Sequence, residues 1–123
     1  MPFYDSGWTM DRFIEYLFGP ERVLALVSLV EEAERLSARV VEKPADEALR
    51  RALRRQMHVL RDTADANNWV REGDLAAVLT DLPVTPHEVT LTAQEVRAGL
   101  QALQRLVQRR LDHVITLTRL AAA

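Results

Sequence analysis

The chain contains no cysteine. This absence excludes disulfides, thiolate metal ligands and cysteine nucleophiles, and nothing in the sequence points to an oxidising compartment. Long apolar runs are missing too, because the longest one, residues 23–30, is far shorter than the ~20 residues of a membrane-spanning helix. The N-terminus has no basic segment ahead of an apolar stretch. We therefore expect a cytoplasmic protein that neither enters nor spans a membrane.

Signatures of catalysis or of metal and cofactor binding are also lacking. The four glycines are scattered, so no glycine-rich phosphate loop is formed. No Glu-x-x-His pair of the kind used by di-iron bundles occurs, and His58, His87 and His113 are too far apart in sequence for a recognisable zinc motif. We predict a non-enzymatic protein with no metal site and no cofactor.

The composition and length of the chain are typical of a globular domain. A hydrophobic fraction of 48% and a charged fraction of 28% in 123 residues predict one domain spanning residues 1–123, with a core that needs no disulfide or metal to support it. The net charge of -2 favours neither nucleic acid nor an acidic partner for the molecule as a whole. Apart from Lys43, the basic residues are all arginine, which suits bidentate contacts with carboxylates and phosphates.

The apolar spacing predicts an all-α protein, a small antiparallel helical bundle of three longer and two shorter helices. A short first helix is expected over residues 9–18, ended by Gly19-Pro20, and a second over residues 20–43. Pro44 separates this helix from a third one with a single apolar face, which implies an antiparallel hairpin. That face consists of Leu49, Leu53, Met57, Leu60 and Ala64.

Two further helices follow in the prediction. Gly73 permits a turn, after which Asp74 is expected to cap a short fourth helix. Thr92 and Glu95 form a capping box ahead of a long last helix. One stripe of this helix follows steps of four and three: Val96, Leu100, Leu103, Val107, Leu111, Val114, Thr118 and Ala121.

Apolar residues outside these repeats indicate an interaction surface. The last helix carries a second apolar stripe, which either completes the monomer core or packs against a second copy in a homodimer. Tryptophans near helix boundaries either seal the end of a bundle or bind a partner, since tryptophan is enriched at interfaces. The predicted interaction surface comprises Trp8, Trp69, Leu106, Ile115, Leu117 and Leu120.

Arginines cluster on two of the predicted helices. On the third helix they repeat at i, i+1, i+4 and i+5, which places four guanidinium groups on one side. If this side lay next to the arginines of the last helix, the two would form a phosphate-binding patch able to track a nucleic-acid backbone. The alternative is a pair of solvated helix faces. The candidate phosphate-binding residues are Arg50, Arg51, Arg54, Arg55, Arg105 and Arg109.

The segment around His58 resembles the phosphoacceptor helix of histidine phosphotransfer domains, which are also small helical bundles. His58, Leu60, Arg61 and Ala64 match that motif, whereas Asp62 replaces its glycine. The resemblance implies phosphotransfer through His58 as a third function. The leading prediction is a protein-protein interaction module, either an adaptor or a small subunit of a larger assembly, and the second is a nucleic-acid-binding subunit.

Overall fold

The computed structural model describes residues 6–85, 87–88 and 91–122, with side chains described for residues 21–85, 87–88, 91–117 and 119–120. In these residues the chain forms four helices and no strand: α1 (Ser6–Glu42), α2 (Glu47–Ala66), α3 (Val70–Leu79) and α4 (Ala93–Ala122). The prediction of an all-α protein is confirmed. The predicted number of five helices is wrong.

The four helices close into a ring of neighbours. α1 packs against α2 and α4, and α3 packs against the same two helices. Within the described ranges the backbones of α2 and α4 do not come close to each other, so these helices lie at diagonal corners of the bundle. Buried side chains from all four helices, among them Leu26, Leu53, Leu79 and Leu103, form one core between them.

The first two predicted helices are one. α1 continues through Gly19-Pro20, where the sequence suggested a boundary. Proline fixes φ near the helical value and removes only one backbone hydrogen bond, at a cost of about 3 kcal/mol inside a helix. Despite this local cost α1 is continuous over Ser6–Glu42, and the helix packs against both α2 and α4.

α2 matches its prediction closely. The Asp46 side chain accepts a hydrogen bond from the Leu49 N–H at 3.1 Å and caps the helix. All five residues of the predicted apolar face are buried. The Gln56 Nε2 donates to the Leu29 carbonyl at 3.0 Å. Leu29 and Gln56 lie similar numbers of residues before and after the turn at Pro44. This hydrogen bond therefore fits an antiparallel α1–α2 hairpin.

The turn between α2 and α3 lies earlier than predicted. Asn68 has a φ of 58°, and the N–H groups of Asn68 and Trp69 donate to Asp65 and Ala64 carbonyls at 3.2 and 2.9 Å. This is a Schellman ending, with asparagine in the left-handed position that glycine usually takes. The predicted turn at Gly73 and cap at Asp74 are therefore wrong, because both residues lie inside α3.

α4 begins with the predicted capping box. The Thr92 N–H donates to Glu95 Oε1 at 2.9 Å, and the Glu95 N–H donates to Thr92 Oγ1 at 3.1 Å. Hydrogen bonds to the Glu95 carboxylate, from the Thr92 N–H first and from the Thr92 hydroxyl second, hold the pKa of Glu95 below its ordinary value. The predicted apolar stripe faces the core as far as Val114, with Leu111 partly buried and the others buried, while the side chains of Thr118 and Ala121 lie outside the described residues. Within the described ranges, each helix is too short or too rich in charge to cross a lipid bilayer.

Candidate binding groove between α3 and α4

The residues of the predicted interaction surface differ in how far they are accessible. Trp8 lies in α1, and its side chain is outside the described residues. Trp69 is 7% exposed and belongs to the core, which fits the role of sealing the bundle. On α4, Leu106, Ile115 and Leu117 are half-buried, while Leu120 is 67% exposed. The last turns of α4 are thus the accessible part of that surface.

The arginines of α2 do not act as one exposed set. Arg50 is buried, and its guanidinium donates from Nε to the Pro44 carbonyl and from Nη1 to the Pro83 carbonyl, the latter at 3.2 Å. It ties the α1–α2 turn to the loop that follows α3. Arg51 and Arg55 are exposed and Arg54 is half-buried. Three arginines of the predicted four therefore remain at the surface of α2.

The two groups of arginines also lie apart. Arg105 and Arg109 are exposed on α4, and α4 is diagonal to α2 in the bundle. Since α1 or α3 separates the two helices on either side, the arginines of α2 and α4 do not merge into one continuous patch. His58 on α2 is half-buried, and the Asp62 at the glycine position of the phosphotransfer motif pairs with Arg61 at 3.2 Å.

The arginines of α4 take part in a different feature, an open groove of about 240 Å³ along the α3–α4 contact. We call it the α3–α4 groove. Its α4 side consists of Leu106, Arg109, Arg110 and His113, which fall at i, i+3, i+4 and i+7 and so share one side of the helix. Its α3 side consists of Arg71 and Glu72.

An ion pair forms the base of this groove. Arg110 donates from Nε to Glu72 Oε2 at 2.6 Å and from Nη2 to Glu72 Oε1 at 3.1 Å. The Glu72 side chain is 3% exposed and that of Arg110 is 31% exposed. The guanidinium also lies over the ring of Trp69, 5.8 Å from its centroid, within cation–π range. Among the described residues, this is the one ion pair that joins two helices.

In the described structure, two arginines at the edges of the groove have no carboxylate within ion-pair distance. Arg71, Arg109 and His113 are exposed, and in the described part of the chain no carboxylate forms an ion pair with them. Because Arg110 and Glu72 neutralise each other, the two free arginines make the groove positive at neutral pH. A positive groove concentrates anionic groups near it.

Apolar side chains extend the groove toward the end of α3. Leu75 and Val78 follow Arg71 by four and seven residues and therefore lie on the same side of the helix. Leu75 is half-buried and Val78 is exposed. Because the Glu72–Arg110 pair and the closeness of Leu79 to Gly99 set α3 antiparallel to α4, we infer that Leu75 and Val78 continue the apolar lining of Leu106 as an apolar strip beside the arginines.

Sequence reasoning identified part of this site. Arg109 and Leu106 were predicted, but for two different surfaces, and Arg71 and Glu72 were not singled out. Glu72 and Arg110 are separated by 38 positions, so no helical spacing connects them. The described residues contain no cluster of three or more histidine, aspartate or glutamate side chains able to hold a metal ion.

Comparison of the chain with models of known families, with curated proteins and with solved structures finds no match.

Proposed function

We propose that the protein is a non-enzymatic interaction module, an adaptor or small subunit, that binds an acidic amphipathic helix of a partner protein in the α3–α4 groove. The observation that supports this proposal is the arrangement of Arg71 and Arg109, exposed and without carboxylate partners, beside the apolar strip of Leu75, Val78 and Leu106. Such a surface is complementary to a helix with apolar residues on one side and carboxylates beside them.

The groove also has features that favour specific binding over nonspecific attraction. The Arg110–Glu72 pair and Trp69 fix one another's side chains at its base. Binding a helix would therefore cost little conformational entropy at these residues. Arg71 and Arg109 present planar guanidinium groups that pair bidentately with carboxylates. The half-buried Leu75 and Leu106 offer a floor that is already partly desolvated.

A nucleic-acid partner is less favoured by the same observations. Arg50 is taken up by two backbone carbonyls, and the remaining arginines of α2 are separated from those of α4. Binding single strands uses exposed aromatic rings for stacking, whereas Trp69 is buried. Nucleic acid is therefore an alternative outcome of the test.

Fluorescence anisotropy with three labelled probes tests the proposal. The probes are a designed acidic peptide with leucines at i, i+3 and i+7, a scrambled peptide of the same composition, and a mixed-sequence single-stranded oligonucleotide. We expect the amphipathic peptide to bind more tightly than the scrambled one. Arg71→Glu combined with Arg109→Glu should weaken peptide binding at least about tenfold, or 1.4 kcal/mol.

Arg51→Glu combined with Arg55→Glu is the matched control, because it makes the same change of charge on exposed residues of α2. It should leave peptide binding nearly unchanged. Equal binding of both peptides, or equal losses in both double variants, would contradict the proposal. Oligonucleotide binding that falls steeply with salt and that both double variants weaken would instead support the nucleic-acid function.

The homodimer stays a prediction and involves another surface. We propose that two copies meet through the end of α4, where Leu120 is the most exposed of the predicted residues whose side chains are described. Light scattering after size exclusion should then give twice the chain mass of 14.0 kDa. Leu120→Glu should restore the monomer mass, while the exposed Val59→Glu on α2 should not. A wild-type monomer at high concentration would rule the dimer out.

A further inference from the structure

A second cavity lies where α4 begins, far from the α3–α4 groove. It measures about 400 Å³, within the usual range of small-molecule sites. We call it the α4 pocket. Since 17 residues of α4 separate Ala93 in this pocket from Arg110, the two sites are roughly 25 Å apart along the helix. Most of its wall is apolar and comes from Val41, Pro44, Pro83, Leu91 and Ala93.

A buried cation lines the α4 pocket. Arg50 is 7% exposed, and its Nε and Nη1 donate to the Pro44 and Pro83 carbonyls. Among the described residues its Nη2 makes no hydrogen bond, and no carboxylate lies within ion-pair distance of the guanidinium. Carbonyl oxygens solvate a guanidinium but do not neutralise it, so a largely buried positive charge remains beside an apolar cavity. Nη2 is not a fully buried atom, so it can still donate to a ligand.

The first turn of α4 adds backbone donors to the same cavity. Ala93 and Gln94 line it, and they occupy the first two positions of the helix, where N–H groups have no acceptor within the helix. The capping box satisfies the N–H of Glu95, and the Val96 N–H donates to the Thr92 carbonyl at 3.0 Å. The described residues provide no acceptor for the N–H groups of Ala93 and Gln94.

One acidic side chain also lines the α4 pocket. Glu88 is exposed to solvent, and its Oε2 accepts a hydrogen bond from the Val84 N–H at 3.2 Å. Water screens an exposed carboxylate much better than a buried guanidinium. The buried charge of Arg50 therefore determines which ligands the interior of the pocket favours.

We propose that the α4 pocket binds a small monocarboxylate with an apolar tail. In this site the carboxylate accepts hydrogen bonds from Arg50 Nη2 and from the N–H groups of Ala93 and Gln94. The tail packs against Val41 and Leu91. The charge of the ligand neutralises the buried guanidinium, and the helix dipole of α4 adds to the attraction.

The experiment is a two-dimensional ¹⁵N–¹H NMR titration of the full chain with acetate, hexanoate and decanoate, and with hexanol and hexylamine for comparison. We expect hexanoate or decanoate to shift the amide signals of Ala93 and Gln94 in a saturable way. Binding should be at least about tenfold tighter than for the alcohol or the amine, because these lack the negative charge.

Two variants remove donors from the α4 pocket in different ways. Arg50→Met removes the charge and should abolish the preference for carboxylates. Ala93→Pro removes one N–H at the first position of a helix, where proline is well tolerated, and it should weaken the binding of hexanoate. If Arg50→Met does not fold, this weaker binding, followed at the Gln94 amide, is the test of the site. Arg109→Met is the matched control in the α3–α4 groove and should leave the titration unchanged.

Three results would overturn the proposal. The first is the absence of saturable shifts at Ala93 and Gln94 with all three carboxylates in the folded wild type. The second is equal binding of hexanol and hexanoate. The third is a set of shifts that centres on Arg71 and Arg109 and disappears in Arg109→Met, which would place the anion in the α3–α4 groove.

Discussion

Arg50 and Arg110 contribute to the bundle in different ways at two separate regions. Arg110 pairs with the buried carboxylate of Glu72 and joins two helices, α3 and α4. Arg50 has no carboxylate partner in the described structure and joins two connecting segments through their carbonyls. The first arrangement neutralises its charge, whereas the second leaves a positive charge at a cavity. Similar side chains thus stabilise the fold at one region and, in our proposal, also bind an anion at the other.

The largest expected effect comes from breaking the pair at the α3–α4 contact. Arg110→Met leaves the buried Glu72 carboxylate without a partner, and we expect the free energy of unfolding to fall by about 3 kcal/mol. Glu72→Gln should cost less, about 1 kcal/mol, because the Arg110 side chain is 31% exposed and can turn to water. Urea denaturation at neutral pH measures both. Equal losses would show that the burial of Glu72 does not determine the cost.

At the other region the expected loss is smaller. Arg50→Met removes the hydrogen bonds to the Pro44 and Pro83 carbonyls, and we expect a loss of about 2 kcal/mol, since bonds from a charged donor contribute more than neutral ones. Arg51→Met is the control: Arg51 is exposed and lies 3.6 Å from Glu47, so the change should stay within about 0.5 kcal/mol. Equal losses for Arg50→Met and Arg51→Met would mean that the hydrogen bonds from Arg50 to the two carbonyls do not contribute to stability.

Much of the fold is predictable from the sequence, and the reason is that its signals are local. The apolar face of α2 and the capping box at Thr92 and Glu95 each depend on residues within a few turns of one helix. The errors occur at helix boundaries. α1 continues through Pro20, where the sequence suggested an end, and the α2–α3 turn lies at Asn68 instead of Gly73 because asparagine takes the left-handed position that glycine usually occupies.

The sites were less predictable, because contacts between residues far apart in the sequence determine them. The spacing of Arg50, Arg51, Arg54 and Arg55 suggests a single face, yet Arg50 is drawn inward by two prolines' carbonyls, one of them 33 residues away. The α3–α4 groove combines residues of two helices that no periodicity relates. Its arginines are visible in the sequence, but their lack of carboxylate partners becomes apparent only in three dimensions.

Substitutions at two glycines compare how tightly α3 is packed against α4 with how tightly it is packed against α2. A Cβ at Gly99 would collide with the buried Leu79 side chain, and overpacking of this kind costs about 1–3 kcal/mol. Alanine also gains up to about 1 kcal/mol in helix propensity over glycine, which offsets part of this cost. We therefore expect Gly99→Ala to lower the free energy of unfolding by about 1 kcal/mol. Thermal unfolding monitored by circular dichroism measures this change.

Gly73→Ala is the matched comparison. Its Cβ would lie 2.6 Å from Asp65 Oδ1, the end of an exposed side chain that can rotate away. The gain in helix propensity should then leave stability unchanged or raise it by up to about 1 kcal/mol. A loss as large as that of Gly99→Ala would mean that the α2–α3 contact is as tightly packed as the α3–α4 contact.

The smallest expected effect concerns acid at the start of α4. The pKa of Glu95 is lowered in the folded protein by its hydrogen bonds with Thr92, so the unfolded chain binds the proton more readily. The contribution of Glu95 is present above its ordinary pKa of 4.5 and is lost as the pH falls through the lowered folded value. Glu95→Gln does not titrate. The stability difference between wild type and Glu95→Gln, measured by urea denaturation, should therefore shrink from pH 7 to pH 3. The exposed Glu31→Gln on α1 controls for removing one negative charge, and a difference for Glu95→Gln that grows on acidification would contradict the capping role of its carboxylate.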